Sequence, residues 1–253
     1  MTADLSSVDA VTAAFKGQDA VVSTVGTPGL QGQSILIDAA IAAGVRRFIP
    51  SDFGCDLANP KTGALPVYKF KRAIHKQLRE AADSKPDFTF SLVCNNAFLD
   101  WGLENNFILA WKDGKPKLFD GGSNVFSATT LGSIGQAVAG ILSHPEETKN
   151  RFVYIKDIDI SQNRLLEIAK SVDPTKKWEE PIYANTEEVE KASNESLAKG
   201  QVSPPVMYGF LFRAVFGPPE YGNRFTKVDN ELLGLKGKTE ADVEAILKKL
   251  IVG

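Results

Sequence analysis

The sequence predicts an α/β protein built on a parallel sheet, followed by a smaller, irregular α+β region. Apolar runs of strand length at 20–25 (AVVSTV) and 88–94 (FTFSLVC) carry no charge, as strands buried on both faces do. A third strand at 45–49 and the helix-period stretches between them give the order strand, helix, strand, helix, strand. That is the order of right-handed crossovers in a parallel sheet.

The elements follow in chain order. A first helix covers 5–16, capped by Ser6 or Ser7 and stopped by Gly17. After strand 20–25 comes a turn-rich loop, then a helix over 34–43 stopped by Gly44. Strand 45–49 runs into Pro50-Ser51-Asp52-Phe53-Gly54. A polar loop with Pro60 and Gly63 leads to a helix at 66–82, closed by Pro86 ahead of strand 88–94. Beyond Asn95 the rhythm loosens: 98–111 is aromatic-rich and 117–126 holds a Gly-Gly turn. A helix at 131–143, a strand at 151–160, a helix capped by Ser161 and a strand near 178–183 come next. Asn185 caps a charged helix over 186–199 and Thr239 one over 240–250. The segment 204–217 (PPVMYGFLFRAVFG) is too apolar for a surface, so it either covers a pocket or interface or packs in the core.

Composition narrows the function classes. The 253 residues can bury a sizeable core, and the net charge of −2 comes with no basic tract, so nucleic-acid binding finds no support. Cys55 and Cys94 stand alone, which points to a reducing compartment and no structural metal. No apolar run reaches membrane-spanning length, and the first residues lack a secretory pattern, so a cytoplasmic protein is expected. There is no GxSxG, HExxH or P-loop lysine motif.

The stretch 66–82 carries the strongest chemical signal. Val67, Phe70, Ile74, Leu78 and Ala81 recur at helical spacing, with Lys69, Arg72, Lys76 and Arg79 opposite. Lys71 falls inside the apolar stripe. Either its stem lies along that face with the head in water, or the ammonium is held among apolar neighbours and transfers a proton. The helix begins at the carboxyl edge of the sheet, where open parallel sheets bind ligands. His75 sits one turn beyond, on the flank of the stripe, suited to a half-exposed structural role or a cofactor contact. Tyr68 and Lys71 are three apart and do not form a YxxxK pair. Gly26, Gly29 and Gly32 form a GxxGxxG after a strand, so one reading makes this a phosphate loop with Asp52 or Arg47 on a ribose.

Several runs together resemble a known family: FKGQDAVVSTVG, then Gln33, then IDAAxxAGVRRFIPSDFG, a lysine helix, NNAFLDWG and VDNELLGLK. Over essentially the whole chain they are similar to the NmrA-like proteins. More narrowly, they resemble the fungal isoflavone reductase-like (phenylpropanoid reductase) branch of the atypical short-chain dehydrogenases. The resemblance implies a Rossmann-like sheet, with 1–95 as a partial NAD(P)-binding domain. Residues 96–253 would add the remaining strands and an interleaved substrate-binding region. It implies Lys71 as the proton donor or acceptor, and Ser51, Asp52 and Phe53 along the nicotinamide side of the cofactor. Gly26 would lie in the fourth strand's loop, Asn96 beside the cofactor, and Phe98 against nicotinamide and substrate. NADPH is the implied cofactor and a small aromatic molecule the implied substrate; the sequence leaves a homodimer open. The likeness begins at what reads as the end of the family's third strand, at Ala3-Asp4-Leu5. The true phosphate loop and the first three strands are therefore expected to be missing, with 20–25 as a sheet edge and weak or no dinucleotide binding. The competing expectation is a non-catalytic, dinucleotide-sensing regulator of NmrA type.

Overall fold

The computed structural model describes residues 3–252. Its main sheet is parallel and four-stranded: β1 (Ala20–Val22), β2 (Arg47–Ile49), β3 (Thr89–Cys94) and, fourth in space, β7 (Arg151–Tyr154). Val22 pairs with Ile49, Phe48 with Phe90 and Cys94 with Tyr154. Successive residues alternate between the faces. Phe48 and Leu92 point to one side, where α1 (Val8–Phe15), α2 (Gln33–Ala42) and α4 (Lys69–Ser84) supply Val11, Ile37, Ile74 and Leu78; α3 (Pro60–Ala64) is a single turn in the loop between. Ile49, Val93 and Val153 point to the other, against Ile134, Ala137 and Ile141 of α6 (Leu131–Ser143).

The remaining elements form the C-terminal part. β4 (Ala97–Phe98) pairs parallel with β6 (Val125–Thr129), which pairs antiparallel with β8 (Ile158–Ser161). β5 (Lys117–Phe119) pairs with β9 (Ile182–Ala184). Around them lie α5 (Leu99–Glu104), α7 (Pro145–Thr148), α8 (Gln162–Val172), α9 (Thr186–Ala198), α10 (Pro204–Phe216) and α11 (Glu240–Ile251). Asn185 and Ser161 cap their helices as expected, and Thr239 closes a capping box with Asp242. The apolar 204–217 packs inward. Phe210 and Phe216 are buried, Phe119 stacks on Phe212 and Phe216 at 4.5 and 5.2 Å, and a side chain at Gly209 would collide with Ser193 of α9.

Four expectations need correction. The single strand at 151–160 is two: Ile155 N–H closes the main ladder on Cys94, whereas Asp157 N–H bonds Ala128 in the second sheet. The chain changes sheets there, because the Asp157 carboxylate accepts from Thr130 N, Thr130 Oγ1 and Ser133 Oγ at the start of α6. β1 is half-buried rather than fully enclosed, since among the described residues it is the edge of its sheet. Ala3–Leu5 forms no strand; Asp4 instead accepts two bonds from Ser6 in a turn. On α4, Phe70 is 41% exposed and His75 only 4%. A 3-10 turn, Pro66–Tyr68, precedes the α-helix, and its three residues per turn put Val67 out of phase with α4. The buried stripe therefore runs through Ile74, His75, Leu78 and Ala81, with Lys71 half-buried at its start and Phe70 on its flank.

Candidate active site

The carboxyl ends of β1 and β2 open onto a cleft of about 500 Å³, walled by Val22, Thr24, Ser51, Phe53, Phe98 and the Leu131–Val138 face of α6. Its lining is mostly apolar, with Thr24 and Ser51 as the polar groups at the strand ends. The loop Ser51–Gly54 forms one wall, and three neighbours fix it. Ser51 N–H donates to Gln33 Oε1 at 2.6 Å, and Ser51 Oγ donates to the Val25 carbonyl at 2.7 Å. At the far end, Gly54 adopts φ +150, a backbone open to glycine, and its carbonyl accepts from Asn95 N–H and Asn96 N–H at 3.1 and 2.9 Å.

Lys71 reaches this loop from α4. Its Nζ donates to the Asp52 carbonyl and, at 3.2 Å, to the Phe53 carbonyl, with the Tyr68 ring 5.9 Å away. The head is therefore held by main-chain oxygens rather than left in water, and among the described residues no carboxylate pairs with it. Around it the acidic hydrogens are tightly kept. Burial pushes the Cys55 thiol up to about 11, only partly offset by Tyr68 and Lys71, and burial likewise raises the Tyr68 phenol and the Cys94 thiol. Those three groups hold their protons at neutral pH.

The structure brings Ser51, Phe53 and Phe98 together on the cleft, while Lys71, outside that lining, bonds the main chain of the same loop. Asp52 turns inward: its carboxylate lies 2.7 Å from His75 Nε2, and both side chains are buried. Asn96 is 2% exposed in a left-handed conformation, φ +48; its Nδ2 donates to the Ser127 and Asn223 carbonyls, and its Oδ1 makes no hydrogen bond within the described residues. Gly26 is exposed at the start of the turn Thr27–Gly29, outside the cleft lining. A side chain at Gly29 would press on Val25 Cβ at 3.0 Å, and Gly26, Gly29 and Gly32 all avoid positive φ. Arg47 lies at the amino end of β2, its guanidinium spent on Thr89, Ser91, Thr148 and the Pro145 carbonyl. Neither Arg47 nor Asp52 is thus free to meet a ribose, and the phosphate-loop reading of Gly26–Gly32 loses its partner residues.

Residues that sequence reasoning passed over also build the site. Gln33 is buried and pins Ser51; its only trace in the sequence was its place in the family runs. The wall from α6 left no trace, since it comes from 30 or more residues beyond the third strand. His75, which the sequence offered as half-exposed or as a cofactor contact, is instead buried on Asp52. Among the described residues, no cluster of three or more His, Cys, Asp or Glu is placed to hold a metal, and no helix is long and apolar enough to cross a membrane.

Comparisons with known proteins agree with this architecture. The chain is 39% identical over 171 residues to the oxidoreductase poxI of Penicillium oxalicum, a match covering 64% of this chain and 52% of that protein. The matched chain thus spans about half the length of that relative. It is 33% identical over 244 residues to the oxidoreductase aprR of Aspergillus flavus, covering 94% of this chain and 80% of that one. A ternary complex of leucoanthocyanidin reductase from Vitis vinifera superposes with a TM-score of 0.78 at 19% identity, over 98% of this chain and 84% of that chain, and shows a common fold. The binary complex of that reductase with NADPH gives 0.76 at 20% identity, over 98% and 81% of the two chains. The model of the NmrA-like family matches residues 1–177. With a parallel sheet, a lysine helix and relatives of isoflavone reductase-like type, the chain belongs to the NmrA-like family.

Proposed function

We propose that the protein is an NADPH-dependent reductase of isoflavone reductase-like type, acting on a small aromatic substrate, with Lys71 handling the proton. The observation that carries this is the Lys71 ammonium held on the carbonyls of the loop that walls the cleft. An ammonium has three N–H donors. Two go to the Asp52 and Phe53 oxygens, which leaves the third for a substrate oxygen and gives Lys71 a fixed direction in which to pass a proton.

The residues present fit the nicotinamide end of a dinucleotide. Phe53 and Phe98 offer flat apolar walls, Thr24 and Ser51 offer hydroxyls, and the buried Asn96 Oδ1 is an acceptor without a partner among the described residues. Asp52 would contribute through Lys71, which its carbonyl holds, and Gly26 through the exposed turn it opens, outside the cleft lining. When bound, NADPH would supply the hydride; Lys71 would supply the proton and regain it from water. That relatives are named oxidoreductases, and that neighbours in fold were solved with NADPH or with NADP+ and (+)pinoresinol, supports the cofactor and the substrate class.

The test is Lys71→Ala in the protein purified from its native host, assayed with NADPH and a panel of small aryl substrates. We expect kcat to fall by ~10²–10⁴-fold, the range for a lost general acid, with NADPH affinity by calorimetry little changed. Unchanged turnover removes Lys71 from the reaction. Tight NADPH binding by the unaltered protein with no turnover of any substrate would instead favour a dinucleotide-sensing role.

A further inference from the structure

We propose that His75 is a positioning residue: together with the Asp52 carboxylate it aims the main-chain carbonyls that hold Lys71. The inference rests on the reductase reading for its functional consequence, though the clamp itself is a matter of geometry. His75 Nε2 donates to Asp52 Oδ1 at 2.7 Å, and the two side chains are 5% and 3% exposed. One turn back on the same helix, Lys71 Nζ bonds the carbonyl of that same Asp52 and that of Phe53. Asp52 is thus gripped at both ends by α4, through its side chain at His75 and through its main chain at Lys71. A residue held at carboxylate and carbonyl has little freedom to rotate its peptide plane, and that plane sets where the Lys71 ammonium stands.

The surroundings make the clamp directional. The Phe152 ring of β7 meets the imidazole edge-on at 5.5 Å, closing it off from the sheet side, and Arg79 lies over the same phenyl ring at 6.0 Å. Cys94 of β3 and Tyr68 ahead of α4 also face Asp52, but neither bonds its carboxylate, and the Tyr68 hydroxyl makes no hydrogen bond among the described residues. Among the described residues, His75 is therefore the one side-chain donor bonded to the buried Asp52 carboxylate. Without it, Asp52 must turn toward water to find a partner, and its carbonyl turns with it.

The test uses His75→Leu and His75→Gln, read by kcat and by the Lys71 amine signal in 13C NMR of the reductively methylated protein without cofactor. Leucine removes the donor; glutamine restores an N–H at comparable reach. We expect His75→Leu to lower kcat on the order of 100-fold, the scale of a misplacement near 1 Å, and to move the Lys71 signal toward that of exposed lysines. His75→Gln should recover most of both. If the leucine variant does not fold, Asp52→Ala carries the test, because it deletes the clamp without stranding a buried charge. A Lys71 signal and kcat unaltered in the clamp-deleted variant, or a loss that glutamine does not repair, overturns the proposal. Since the NMR signal is read without turnover, failure of the clamp is distinguishable from failure of the reductase reading, which Lys71→Ala tests separately.

Discussion

Gln33→Leu isolates the contact on which the cleft wall depends. Gln33 is 1% exposed at the first turn of α2, and its Oε1 is the acceptor for the Ser51 amide at 2.6 Å. Leucine matches glutamine closely in volume and in helix propensity, so neither a cavity nor a weakened helix results. What changes is that Ser51 N–H loses its partner. An unpaired buried donor costs about 1–3 kcal/mol. Ser51 is only half-buried, and burying a leucine side chain in place of an amide returns part of the loss, so about 1–2 kcal/mol is expected. For a chain of this size that lowers Tm by about 2–8 °C. Urea denaturation gives the first measurement, with the midpoint falling at constant m. Amide hydrogen exchange gives the second, with Ser51 losing protection before the strand residues do. A variant with the original urea midpoint and a protected Ser51 amide would refute the reasoning, since the loop would then be held by Ser51 Oγ on Val25 alone.

The rotated stripe of α4 predicts unequal costs for two apolar side chains that the sequence treats alike. Phe70→Ser should change stability by less than about 0.5 kcal/mol, whereas Leu78→Ala should cost about 2–5 kcal/mol by denaturant titration; equal losses would place Phe70 back in the core. The thiols predict an alkaline limit. Cys55 keeps its proton to about 11 in the folded chain, against 9.0 for an unhindered thiol. The folded state therefore holds a proton that the unfolded state releases, and the associated stability, full below pH 9, should be lost by about 3 kcal/mol as pH rises toward 11. Cys55 and Cys94 should likewise resist thiol reagents at pH 8 until the protein unfolds. Rapid labelling of the native protein would contradict their burial.

Much of this molecule was legible in one dimension. The uncharged runs around Val21 and Leu92 and the glycines closing the first helices gave a parallel sheet, because burial on both faces admits only apolar strands. Helix caps at Ser161, Asn185 and Thr239 were readable because capping is local chemistry, a side-chain oxygen on an amide two or three residues on. Lys71 was readable as an anomaly, a charge inside an apolar stripe. The tertiary structure alone decided what Lys71 holds, and that Asp52 faces His75 rather than a ligand. It alone decided that Phe70 looks outward, that strand 151–160 divides between two sheets, and that α6 closes the cleft. The physical reason is one of range. Periodicity and capping depend on neighbours within a turn or two, whereas the partner of a buried carboxylate or the far wall of a cleft is set by packing between segments distant in sequence. No local pattern encodes that choice.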